Sequence, residues 1–241
     1  MARRRNTISR VAMPLAVSAS LGCAACVNQD QGSTALASTD GEECYVPRLQ
    51  EAAAASGITD ANPCGPCGPC GPGAVIELEM DEAKAAYECI QGDLVDAYAV
   101  SGLDVATAYV NWDNYTAAPY LSALHGSRYV NNFGNDAADA YGEWEGGGAM
   151  AAGGILVKDS MTISTTGKVG VGPLFLMEKM QAGWNPDSDD WKYSMVTANG
   201  SVFGETKGTN AGAVGFCVDC HLAAERDHMF FLPEELRVNP N

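Results

Sequence analysis

The chain has 241 residues, 46% of them hydrophobic, which is enough for one sizeable core, and a formal net charge of −16. Without Arg3, Arg4, Arg5 and Arg10, 10 basic side chains face 30 acidic ones, a balance of about −20. Such a surface repels nucleic acid and anionic membrane, excludes both as partners and suits a basic partner protein. Residues 1–26, MARRRNTISRVAMPLAVSASLGCAAC, join a basic segment to a short apolar run and small residues. This is the pattern of a secretory signal peptide, too short to span a bilayer as a helix. Arg4 and Arg5 loosely resemble a twin-arginine signal. SLGC, Ser20 to Cys23, resembles a lipoprotein signal with its leucine one place late. Cys23 therefore either carries a lipid anchor or is lost by cleavage near Ala24 or Ala25; the protein is expected in the periplasm or anchored at the outer membrane.

Residues 27–73 are dominated by Ala, Ser, Gly, Asp and Pro and read as a low-complexity linker that cannot bury enough surface to fold. Inside it, NPCGPCGPCGPG places Cys64, Cys67 and Cys70 three residues apart. Ala74 lies near where a ferredoxin run needs its fourth cysteine, and no β-α-β setting accompanies the C-G-P-C pairs. Disulfides in an oxidising compartment, to Cys44 or Cys89, or a metal are the readings left open.

Residues 74–241 form the folded domain. Ala83, Ala86, Tyr87, Ile90, Leu94, Ala97 and Tyr98 recur at helical spacing and predict an amphipathic helix over Met80 to Val100, weakened at Gly92. Further helix is predicted from Ala106 to Tyr115 and from Asp136 to Trp144. The pattern then changes to GGILVKDSMTIST, VGVGPLFLMEKM and WKYSMVTANGSVFGET, extended runs with a TTGK turn and an Asn199-Gly200 type I′ hairpin turn. TTGKVG lacks the earlier glycine of a phosphate loop. The class expected is α+β, a mostly antiparallel sheet with flanking helices, with Trp112, Trp144 and Trp191 in the core.

The chemistry is concentrated in GFCVDCHLAAERDHMF, where Cys217, Cys220 and His221 form C-x-x-C-H. Two thiols on one helical turn can each add to a haem vinyl group and hold the next histidine under the iron, so one covalent haem c is expected. A zinc half-site or a disulfide is the competing reading, without a second ligand pair nearby. Met229 and His228 follow His221 too closely to reach round to its far side, since eight helical residues advance only ~12 Å. The distal side is therefore expected to be open. A helical cytochrome c prime is disfavoured by the extended residues 153–205.

YVNNFGNDAADAYGEWE, GGILVKDSM, GPLFLMEKM, DWKYSMV and FCVDCHLAAERDHMFFLPEELR, in this order over Met80 to Val238, resemble the cytochrome P-460 family. The resemblance implies an antiparallel β-sheet protein, dimeric as a homodimer, with haem c on one histidine and an open distal face. It implies oxidation of hydroxylamine or a related small nitrogen compound, with electrons passed to a basic cytochrome. Lys158 falls on the family's strand lysine, which is bonded to the porphyrin edge. The related cytochrome c prime beta proteins lack that lysine and bind nitric oxide without turnover, and a gas-binding or electron-transfer protein is the alternative. The family's distal acid aligns with Trp184, leaving Glu178 and Asp159 as the nearby carboxylates for proton removal. His125 and Arg128 are candidate donors to a haem propionate.

Overall fold

The protein is described here as a computed structural model over residues 43–60 and 75–239. The signal segment with Cys23, and the repeat of Cys64, Cys67 and Cys70, lie outside the described residues. Helix α1 (Pro47–Ser56) is followed by α2 (Met80–Ala99), the short α3 (Val105–Ala108) and α4 (Gly215–His221). Strands β1 (Asp113–Asn114), β2 (Tyr120–Ser122), β3 (Arg128–Gly134), β4 (Ile155–Ile163), β5 (Val169–Val171), β6 (Leu174–Lys179), β7 (Trp191–Val196) and β8 (Val202–Glu205) make one sheet. Its order is β1-β3-β4-β6-β7-β8, with β2 also on β3 and β5 on β4, and every pairing is antiparallel. This is the mixed α+β class with a mostly antiparallel sheet and flanking helices.

Side chains alternate between the two faces of a strand, so the register assigns each residue a side. Val157 opposite Leu176 and Phe133 faces α2, where Ala83, Ala86, Ile90, Leu94 and Tyr98 close one core. α2 begins at a capping box of Glu79 and Glu82, which satisfies two of its first amide groups, and runs on through Gly92. Leu156 and Met177 face the other way, into a second core of Tyr141, Met150, Trp191, Tyr193 and Met229. Trp191 is fully buried, while Trp112 and Trp144 pack at the core margins.

Four expectations are corrected. Residues 43–60 are not tether: Cys44 and Val46 are buried, and Val46 N–H donates to Gly167 at 2.8 Å while Val169 N–H donates to Cys44 at 2.9 Å. Gly167, with φ +81°, permits that approach, because a Cβ there would meet the Val46 carbonyl at 2.7 Å. Cys44 and Cys89 bond to each other, Cα to Cα 5.9 Å, and so neither is a partner for the three-cysteine repeat. The helix predicted for Ala106 to Tyr115 stops early, giving way to a 3₁₀ turn at Tyr109–Asn111 and then β1, and Asp136–Gly146 is 3₁₀ with a kink at Trp144. In the β7–β8 hairpin only Gly200 has positive φ, and Gly200 N–H donates to Thr197 while Thr197 N–H donates to Ser201, both at 2.9 Å. That is a type I turn with a glycine bulge, in place of the type I′ turn.

Candidate functional site

The site lies on the face of the sheet away from α2. Lys158 on β4 stands between Asn132 of β3 and Phe175 of β6. His125 closes onto Phe175, ring to ring 4.9 Å, and its Nδ1 pairs with Ser122 Oγ at 2.8 Å. α4 delivers His221 to the same region, 5.3 Å from the Tyr193 ring and 5.4 Å from that of Phe230. The Lys158 charge acts on both His125 and His221, so the three share one electrostatic environment.

His221 is held in one tautomer. Its Nδ1 lies 2.7 Å from the His228 carbonyl oxygen, which can only accept, so Nδ1 carries the proton and Nε2 keeps its lone pair. Burial pushes His221 down to about 4, with Lys158 and His228 adding to the effect and the His228 bond opposing it, so the ring is neutral at ordinary pH. Cys217 is half-buried, Cys220 is exposed, and neither is in a disulfide. Burial, then the neighbouring Cys220, pushes the Cys217 thiol up to about 12, which disfavours the thiolate a zinc site needs.

The polar residues around His221 have an unusual combination of properties. Burial lowers Lys158 to about 8 and His125 to about 2, yet both side chains keep partial solvent contact. Arg128 belongs to the same face by its alternation with Asn132; its Nη1 donates to the His125 carbonyl at 2.9 Å, while its Nε is buried with no hydrogen-bond partner. Burial lowers Arg128 too, and only Tyr98 opposes the shift. Among the described residues neither Lys158 nor Arg128 forms an ion pair. Two cations without acids, in a chain of charge −16, leave room for an anion such as a carboxylate. The residues thus fit a haem c: two thiols, a neutral Nε2 donor, aromatic walls and one unpartnered guanidinium nitrogen, Arg128 Nε, for a propionate.

The carboxylates proposed for proton removal are elsewhere. Glu178 pairs in register with Ile155 and Lys192, on the α2 side of the sheet, and sits 3.6 Å from Lys192, which also meets Glu205 at 3.1 Å. It lines a small cleft with Leu103 and Leu176 there, across the sheet from Lys158. The expectation that Glu178 acts beside Lys158 is therefore corrected. Asp159 also turns away, accepting hydrogen bonds from Tyr87 at 2.6 Å and from Tyr109 and Asn131 at 3.2 Å. Trp184 stays in the loop before β7, with the Lys207 ammonium 4.9 Å above its ring. His228, dismissed as an iron ligand on spacing, is buried and bonded to Tyr193 and Asp189.

Sequence reasoning missed Phe175, Tyr193 and the Asp227–His228 turn. Phe175 and Tyr193 were legible as strand residues, but the pairing that brings Phe175 onto His125 and Tyr193 onto His221 was not. No known family model matches the chain, and no curated protein matches it.

Proposed function

We propose that the chain is an exported mono-haem c protein of the cytochrome P-460 kind, a haem oxidoreductase acting on hydroxylamine or a related small nitrogen compound. The observation that carries this reading is the His221 imidazole, neutral and protonated at Nδ1 by its bond to the His228 carbonyl, in reach of the charge of Lys158. Cys217 and Cys220 would hold the porphyrin by thioethers and His221 Nε2 would be the axial ligand. When bound, haem supplies an iron that takes a nitrogen ligand and passes electrons on. The chain's own residues do the rest. Tyr193 and Phe230 exclude water around the imidazole, Phe175 packs on His125, Arg128 offers Nε to a propionate, and Lys158 presents a desolvated amine to the porphyrin edge. The acidic body suits a basic cytochrome as electron acceptor. The Cys44–Cys89 disulfide suits an oxidising compartment outside the cytoplasm.

A second reading has one observation in its favour. Glu178 and Asp159 both lie across the sheet from Lys158, so proton removal from a substrate lacks the carboxylates considered for it. The chain would then capture nitric oxide or carry electrons without turnover. Lys158→Leu separates the two. In an oxidase it shifts the reduced absorption toward that of ordinary haem c and abolishes hydroxylamine oxidation, while nitric oxide still binds. Mass spectrometry of the Lys158 peptide gives the same answer directly. Haem mass on that peptide supports the oxidase; an unmodified peptide from fully loaded protein leaves the binding reading.

A further inference from the structure

The carbonyl that fixes His221 belongs to an unusual turn. Asp227 and His228 have φ of +41° and +61°, the left-handed region, where a residue with a side chain is strained. Neither is glycine, so something else holds them. The Asp227 carboxylate, almost fully buried, accepts three bonds: from Lys179 Nζ at 2.5 Å, from Trp191 Nε1 at 3.2 Å and from the Met150 amide at 2.6 Å. The Trp191 indole also donates to the Asp227 carbonyl at 2.9 Å. One side chain thus ties the turn to the end of β6, to the start of β7 and to the loop before β4. On the far side of His228, its ring pairs with Tyr193 at 3.4 Å and with Asp189 at 3.2 Å.

We propose that Asp227 is a positioning residue for His221: its buried carboxylate holds the 227–228 turn in its strained form, and so keeps the His228 carbonyl aimed at His221 Nδ1. The inference rests on the haem reading for its consequence at iron. A firm Nδ1 hydrogen bond gives the imidazole more anionic character and makes Nε2 the stronger donor, which favours the ferric state. Without the carboxylate the turn relaxes, the carbonyl swings away and the imidazole becomes an ordinary ligand. Asp227 touches neither thiol, so haem attachment is unaffected.

The test compares wild type with Asp227→Asn, which keeps the shape, and Asp227→Ala, which removes every acceptor, in the full chain. Resonance Raman of the ferrous protein reads the iron–histidine stretch, and redox titration reads the midpoint potential. The stretch should fall and the potential rise in the order Asn then Ala, with covalent haem content unchanged; Lys179→Met should give a smaller shift in the same direction, and Asp227→Glu should restore part of it. A residue that merely stabilises the fold would lower the melting temperature and leave the stretch alone. An unchanged stretch in fully loaded Asp227→Ala overturns the proposal. If wild type carries no covalent haem, the haem reading itself fails, and nitrogen-15 NMR of the His221 ring decides the positioning. A single Nδ1–H tautomer that becomes a mixture in Asp227→Ala supports it, and the same tautomer in both proteins overturns it.

Discussion

The two faces of the sheet follow opposite rules, although a single peptide bond joins their charged centres. Asp159 faces α2 and is ringed by Tyr87, Tyr109 and Asn131, each donating a hydrogen bond, within a core closed by the chain itself. Lys158 faces the other way and, like Arg128, has no acid paired with it among the described residues. Burial raises Asp159 to about 6 against the lowering effect of its bonds from Tyr87, Asn131 and Tyr109, because it disfavours a negative charge, and it lowers Lys158 to about 8, because it disfavours a positive one. The α2 face answers that cost with three donors from its own side chains, whereas the Lys158 face leaves it standing. On the haem reading proposed above, the unanswered cations of the second face would meet the porphyrin edge and a propionate.

The largest effect should come from the Lys158 face. Cys217→Ala with Cys220→Ala, made in the Lys158→Leu background so that no bond from the lysine can hold the porphyrin, should convert haem that survives acid acetone into haem that is wholly extracted, while circular dichroism of the sheet stays the same. Retention of haem by this triple variant would break the comparison. Next, Cys44→Ala with Cys89→Ala should lower stability by ~2–4 kcal/mol in urea, given the 45-residue separation, with little change in the haem spectrum. A changed spectrum would show that the faces are coupled.

The pH dependence of the unloaded protein sharpens the contrast, because the two neighbours have opposite signs. Asp159 binds its proton more tightly when folded, so its contribution is greatest below its ordinary 3.8 and is lost as pH rises through about 6. Lys158 binds its proton less tightly when folded, so its contribution is greatest above 10.5 and is lost as pH falls through about 8. Lys158→Met should therefore stabilise the unloaded protein by roughly 2–3 kcal/mol at pH 7 and flatten the alkaline slope. Asp159→Asn should flatten the acidic slope alone; equal slopes in variant and wild type would remove the burial argument. The smallest effect belongs to Glu178→Gln, which loses one half-exposed ion pair. It should change stability by less than about 0.5 kcal/mol and leave the haem spectrum untouched.

The strand and helix patterns were legible because alternation and 3.6-residue spacing are local. Ala83, Ala86, Ile90, Leu94 and Tyr98 went where their spacing sent them, and Lys158 took the side opposite Val157. Cys217, Cys220 and His221 were legible as neighbours on one helix because their spacing keeps them within about a turn of each other. Glu178 was misplaced for a reason of parity: it lies near Lys158 across paired strands, but one residue of register puts it on the other face. The Asp227–His228 turn had no glycine to announce it, since its conformation is held by Lys179 and Trp191, distant in sequence. Residues 43–60 were read as tether because their composition is polar and small, while their order comes from the β4–β5 hairpin and from Cys89.

The disulfide also sets a problem of sorting. Nine cysteines are encoded, and on the haem reading proposed above the same compartment would have to oxidise Cys44 and Cys89 while keeping Cys217 and Cys220 as thiols for thioether formation. The competing pairs differ in their folded surroundings: Cys44 is sealed in the α2 core once bonded, whereas Cys220 stays at the surface. A reductant acting on the finished fold would thus reach a mistaken Cys217–Cys220 bond far more readily than the Cys44 sulfur. Repair could then act at one end of the chain without undoing the other, and on the proposed haem reading maturation would need no strict order between oxidation at α2 and attachment at α4.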